Sequence, residues 1–211
     1  MYSNVDYKNI SKQKIAMYGG SFNPVHTGHI QLAEYFVSEL ELDKLLLIPD
    51  SKPPHKNDKE MISENHRYNM CMLASENVKN IQVSDIEIKR QGKSYTVDTL
   101  RQLGNIYKNT QLYLIMGADM FITLHTWKEY REILKQAVVC AVPRDKDSVN
   151  TLIDYSKTLE SKGLRCIISD KMMMNISSTE IRSCIKQGKS IAGMVDRKVE
   201  DYIYKNSLYM R

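Results

Sequence analysis

Apolar residues fall along this chain in two rhythms. Short apolar runs at Lys14 to Tyr18, Lys44 to Ile48, Gln111 to Met116 and Ala137 to Val142 alternate with longer segments in which apolar positions recur every three or four residues. Nearly unbroken runs of that length suit strands covered on both faces, and the wider spacing suits helices with one side on a core. Between the first two runs, Ile30, Ala33, Val37 and Leu40 predict a core-facing stripe on a helix over Thr27 to Leu40. Ser63 is placed to cap a helix reaching about Glu76, and Ile81 to Val83 reads as a short strand. Asp85 to Lys89 alternates polar and apolar and predicts an added strand, with Thr96 as the cap of a helix through Leu100 and Leu103. Beyond the Gln111 run come a short helix, the segment around Trp127 and a helix ending near Leu134. Val149 to Lys162 then reads as helical, Arg165 to Ile168 as extended, and a last helix spans about Asp196 to Tyr204. Strands and helices in this alternation predict an α/β fold, a doubly wound and mainly parallel sheet with helices on both faces. Residues 14–211 are expected to form one domain, preceded by an N-terminal arm over 1–13.

Composition narrows the class. Of 211 residues, 42% are hydrophobic and 26% charged, which supports an ordinary globular core and argues against disorder. No apolar run approaches the length that spans a bilayer, and the opening MYSNVDYKNISKQK lacks a signal peptide's apolar segment, so a cytoplasmic protein is expected. The net charge of +5 suits small anionic substrates, and without a concentrated basic tract neither nucleic acid nor membrane is expected as a partner. The four cysteines form no C-x-x-C pair and read as reduced thiols; a zinc site from His26, His29 and a distant cysteine has no supporting spacing. A homo-oligomer is compatible with all of this, and the sequence does not fix the state.

The most informative stretch is Gly19 to His29, GGSFNPVHTGH, entered directly from the first apolar run. Glycines let backbone approach a ligand, Pro24 turns the chain, and His26 and His29 share one face of the helix that follows. A helix start offers free N–H groups and a positive dipole end, so the stretch reads as a phosphate site. Neither a dinucleotide G-x-G-x-x-G nor a G-x-x-x-x-G-K-[ST] loop occurs in the chain. A second helix start, Ile176 to Arg182 (ISSTEIR), offers hydroxyls, amides and an arginine to the same kind of ligand. Taken alone, it is equally well an ordinary capping box. If the acceptor is itself a phosphate, no serine or cysteine nucleophile is required. Positioning and charge stabilisation then suffice, with imidazoles at one end and Arg182 and Lys56 at the other.

The Gly19 stretch resembles the G-x-F-x-P-x-H-x-G-H signature of the nucleotidyltransferase superfamily, which also carries an I-S-S-T-x-I-R motif. Further pieces fall in order: Lys52 to Lys56 (KPPHK), Ser94 to Leu100 (SYTVDTL), Gly117-Ala118-Asp119, Trp127, Pro143-Arg144 and Val199 with Tyr202-Ile203. Together they resemble bacterial nicotinate-nucleotide adenylyltransferases over nearly the whole chain after residue 13. The resemblance implies transfer of AMP from ATP, with Mg²⁺ on the triphosphate, to nicotinate mononucleotide, giving deamido-NAD and pyrophosphate. It implies catalytic roles for His26, His29 and Arg182, with His29 nearest the α-phosphate. Gly19, Gly20, Ser21, Phe22, Gly117, Asp119, Ile176, Ser178 and Thr179 would complete the ATP site, Asp119 at a ribose. His55 and Lys56 would reach phosphates from their loop. Ser94, Tyr95, Thr96, Trp127 and Arg144 would receive the acceptor, with Trp127 stacked on the pyridine ring. Asn23 departs from the resemblance, since many relatives have aspartate there; it keeps an acceptor oxygen and a turn-forming side chain without the charge. The competing readings are a pantetheine-phosphate adenylyltransferase or a cytidylyltransferase, which leave SYTVDTL and Trp127 unexplained, and a non-catalytic nucleotide sensor of the same fold. A class I aminoacyl-tRNA synthetase would need a tRNA-binding domain for which the chain has no room.

Overall fold

The structure, a computed structural model, describes residues 12–53, 61–161, 163, 165–172 and 176–210. Six strands form one sheet, all parallel, in the order β3-β2-β1-β4-β5-β6. They are β1 (Gln13–Gly20), β2 (Lys44–Pro49), β3 (Ile81–Val83), β4 (Thr110–Gly117), β5 (Ala137–Val142) and β6 (Cys166–Ile168). The helices are α1 (Thr27–Glu39), α2 (Glu64–Ser75), α3 (Ile86–Arg90), α4 (Thr96–Ile106), α5 (Ala118–Ile122), α6 (Tyr130–Gln136), α7 (Lys146–Glu160), α8 (Ser178–Lys186) and α9 (Arg197–Lys205).

Strand alternation divides the core in two. Ala16, Tyr18, Leu45, Leu47, Tyr113, Ile115, Val138 and Cys140 point to one face, where they meet Phe36 of α1, Met70 of α2, Ile181 of α8 and Val199 of α9. Ile15, Met17, Leu46, Ile48, Leu112, Leu114 and Val139 point to the other, against Leu100 of α4, Phe121 of α5, Ile133 of α6 and Leu152 of α7. Covering on both sides is why these strands read as unbroken apolar runs. The winding reverses between β1 and β4, the adjacent central pair. Ligands in such sheets bind beyond the carboxyl ends of the strands at that reversal.

Several local expectations are corrected. Asp85 to Lys89 lies in a helical turn, with α3 over Ile86–Arg90, and is not an added strand. Its charges run acidic to basic along the turn, and Lys89 pairs with Asp85 at 3.0 Å, one helical turn back. Thr96 is the first residue of α4 and Tyr95 occupies the cap position. The buried side of α1 is Gly28, Leu32, Ala33 and Phe36, leaving Ile30 and Val37 half-buried at its margin. Helix α7 begins at Lys146, earlier than Val149, because Asp145 and Ser148 cap it reciprocally. The cysteines are free thiols, with Cys71, Cys140 and Cys166 buried.

Candidate active site

Strand β1 runs straight into the first of the two motifs, Gly19 and Gly20 still pairing with Ile48 and Pro49 of β2. Phe22 follows with φ of +47°, a left-handed conformation that is uncommon for a bulky side chain. Its ring lies back over Gly20, where a Cβ would come within 3.0 Å of it, so Gly20 has a steric reason to lack a side chain. The Phe22 ring also stands edge-on to His29, with centroids 5.0 Å apart, and His29 stacks on His26 at 3.5 Å. The sequence spacing thus becomes an actual imidazole pair, buttressed from behind by Phe22.

Protonation follows from the bonding. The backbone N–H of His26 donates to Nδ1 of His29 at 3.2 Å, which puts the proton of a neutral His29 on Nε2 and makes that nitrogen a donor. Burial lowers the pKa of His26 to about 4, so this ring is neutral at physiological pH. Its Nδ1 is buried without a hydrogen-bond partner among the described residues. The start of α1 is less open than the motif alone implies. Thr27 N–H donates to the Met194 carbonyl at 3.0 Å, so the first amide of the helix is committed to the protein.

The second helix start is fastened directly to the first. Nη1 of Arg182 donates to the Asn23 carbonyl at 2.9 Å, and Ser178 Oγ donates to the Pro24 carbonyl at 2.8 Å. Arg182, 8% exposed, therefore lies at the junction of the two motifs, with Thr179 beside its Nη2 at 3.5 Å. Ser177 caps α8 through the Glu180 amide, and Ile176 packs at the edge of the core. So Ser178 and Arg182 have structural bonds in addition to any they make to phosphate. Asn23 serves a similar end: its Oδ1 accepts from the Tyr209 hydroxyl at 2.9 Å and from the Ile62 amide at 3.4 Å.

Beneath the loop lies an arginine that the sequence reading passed over. Arg67 on α2 is 1% exposed. It donates to the Ser21 carbonyl at 2.7 Å, Asp50 Oδ1 at 2.9 Å, the Asp50 carbonyl at 2.6 Å and the Ile62 carbonyl at 3.3 Å. Ser21 Oγ adds a bond to Asp50 Oδ2 at 2.8 Å. One guanidinium thus joins the ends of β1 and β2 to the start of α2, its charge balanced by Asp50. The available signal was helical spacing, since Arg67 precedes the buried Met70 and Cys71 by three and four residues.

Of the residues expected to receive the acceptor, Tyr95 and Trp127 pack on the other side of the sheet. Ser94 N–H donates to the Lys52 carbonyl at 2.9 Å and Ser51 N–H to Ser94 Oγ at 2.9 Å, so SYT is stitched to the loop after β2. Trp127 and Tyr95 are both half-buried against the core on this face. Lys128 lies over the Tyr95 ring at 4.5 Å and pairs with Asp98 at 3.0 Å, while Arg101 bonds both Asp98 and Glu129. Gly117 caps α5 at the end of β4, and Asp119 and Arg144 face each other at 3.4 Å on an exposed rim. His55 and Lys56 lie outside the described residues. His66 bonds the Tyr202 hydroxyl at 2.9 Å, linking α2 to α9, and His125 is exposed.

A parallel sheet with a histidine pair and two joined helix starts at its reversal is the frame of a nucleotidyltransferase. The cytidylyltransferase-like family model matches residues 17–184, and the chain belongs to that family. Within it, the chain belongs with the bacterial nicotinate-nucleotide adenylyltransferases. A relative of that name from Fusobacterium nucleatum is 42% identical, covering 91% of this chain and 97% of its own length. One from Clostridium tetani is 36% identical over 93% of this chain and 99% of its own. The solved nicotinic acid mononucleotide adenylyltransferase of Plasmodium falciparum, complexed with NaAD, superposes with a TM-score of 0.76 at 19% identity, covering 93% and 97% of the two chains. No helix among the described residues is long and apolar enough to cross a membrane.

Proposed function

We propose that this chain joins ATP and nicotinate mononucleotide into deamido-NAD and pyrophosphate, a step of NAD biosynthesis, in the cytoplasm. The observation that best supports the reading is the pair of bonds from Arg182 and Ser178 to the Asn23-Pro24 backbone, which holds the two helix starts together. The triphosphate lies between them. An oxygen of the acceptor phosphate attacks the α-phosphorus in line, a new P–O bond forms, and the bond to the bridging oxygen breaks with its electron pair leaving on pyrophosphate. His29 donates from Nε2 to an α-phosphate oxygen as charge shifts there, and His26, neutral and stacked on it, fixes the ring. Arg182 and Thr179 face the outer phosphates, and His55 and Lys56 are assigned to the same phosphates. The adenosine end lies by Gly117 and Asp119.

Mg²⁺ reduces repulsion among the phosphates when bound. The ion is assigned to triphosphate oxygens and water, as suits a hard cation that keeps much of its hydration. The acceptor's pyridine ring stacks on Trp127, and its carboxylate meets Thr96 and neighbouring amides at the start of α4, where the helix dipole favours an anion. Arg144 is assigned to the acceptor phosphate. Incubation with ATP, Mg²⁺ and nicotinate mononucleotide is expected to release pyrophosphate, far faster than with nicotinamide mononucleotide or phosphopantetheine. Release with phosphopantetheine instead would move the chain to another acceptor, and binding of ATP without turnover would make it a sensor.

A further inference from the structure

A carboxyl group lies buried behind the acceptor subsite, and the reaction scheme does not use it. Glu87 of α3 is 4% exposed. Thr99 Oγ donates to its Oε1 at 2.6 Å, and the Ser94 side chain is near enough to act on the same carboxyl group and oppose the rise of its pKa. The polarity of these bonds is set by their neighbours. Ser94 Oγ already accepts the Ser51 amide, and Thr99 Oγ already accepts Nη1 of Arg90 at 2.9 Å, so each hydroxyl has its proton left to give. The Thr99 proton goes to Glu87. Arg90 adds the balancing charge 3.9 Å from Oε1 and is held by Gln102 Oε1 at 2.9 Å. Burial pushes the Glu87 carboxyl up, and the two hydroxyls and Arg90 act against that shift.

We infer that Glu87 is a positioning residue for the acceptor: through Ser94 and Thr99 it sets the backbone of Ser94-Tyr95-Thr96 and its seam with Ser51, and so fixes the groups that meet the nicotinate end. Two features separate this from ordinary core packing. Thr99 lies one turn into α4 and Ser94 just before it, so the Glu87 bond to Thr99 falls at the helix start beside the Ser94–Ser51 seam. The carboxyl group is also unlike its apolar surroundings on this face, where Val97, Leu100 and Leu103 supply the packing. Burying a carboxyl group opposes folding unless its bonds offset the cost, and here the bond runs to the start of α4. Among the described residues no hydrogen bond runs directly from Glu87 to the Gly19 to His29 loop, so ATP contacts are expected to be far less sensitive to it than acceptor contacts.

The inference rests on the proposed acceptor and is tested by binding. Trp127 is the chain's one tryptophan, so its fluorescence reports acceptor binding without turnover. Titration of nicotinate mononucleotide into the parent, Glu87→Gln, Thr99→Val and the double variant is expected to weaken binding about tenfold or more in each single variant. The double variant is expected to lose little beyond the weaker single, because both substitutions break one network. ATP affinity, measured by calorimetry, is expected to stay within about threefold of the parent. Thr99→Val changes neither volume nor charge appreciably and covers the case in which Glu87→Gln does not fold. A parent that leaves the fluorescence unchanged removes the acceptor assignment itself. A parent that binds, with variants that bind equally well or lose ATP and acceptor alike, overturns the role of Glu87.

Discussion

At the end of the site proposed for the phosphates, fastening is done by groups withdrawn from water: Arg67 on Asp50 and Ser21, Arg182 on Asn23, and the Tyr209 hydroxyl on Asn23. At the acceptor end, Lys128 and Arg101 reach Asp98 and Glu129 through side chains that are 30–45% exposed. Solvent and salt screen exposed pairs, which each contribute little, whereas a buried charge stripped of its partner is strongly unfavourable. The phosphate end is thus built as a preformed cradle. The end proposed for the acceptor is a surface segment, with the buried Glu87–Thr99 bond beneath it and weak pairs above. That division suits a site in which a polyphosphate must be aligned to fractions of an ångström and a flat ring has only to be stacked.

The contrast is broken most severely at Arg67. Arg67→Ala leaves Asp50 buried without its cation and is expected to lower stability by about 3–5 kcal/mol in urea unfolding. Asp98→Asn at the other end is expected to change it by less than about 1 kcal/mol. Equal losses would mean that the two ends are held alike. Next in size is His29→Ala, expected to reduce turnover about 10²–10³-fold with the fold intact, the usual consequence of losing one preorganised donor. Activity within a few-fold of the parent would remove His29 from the chemistry. Smallest is Trp127→Ala, expected to raise the KM for nicotinate mononucleotide about tenfold, since one stacked ring contributes on the order of 1 kcal/mol beyond its buried area. The KM for ATP should barely move; a parallel rise in both would make Trp127 a packing residue.

Much of the scaffold was legible because its signals are local and redundant. Four strands are continuous apolar runs, and the helix starts at Thr27, Glu64, Ser178 and Arg197 follow turn or capping residues visible in the chain. Asp85 to Lys89 misled because five alternating residues fit a strand or one helical turn equally well. The two motifs were legible as anion sites, but their mutual bonding was not. Arg182 and Asn23 are 159 residues apart, and nothing local marks that a charged side chain will bond a backbone carbonyl. Arg67 and Glu87 were missed for a related reason. Charged residues are ordinarily read as solvated, and only tertiary packing buried these two.

The central claim is that the starts of α1 and α8 hold one triphosphate between them. A crystal structure with Mg²⁺ and a non-hydrolysable ATP analogue tests it directly. The account predicts phosphates lodged between Gly20 to His29 and Ser178 to Arg182, with Nε2 of His29 within hydrogen-bonding distance of an α-phosphate oxygen. An analogue bound elsewhere on the sheet, with both helix starts bare, would contradict it.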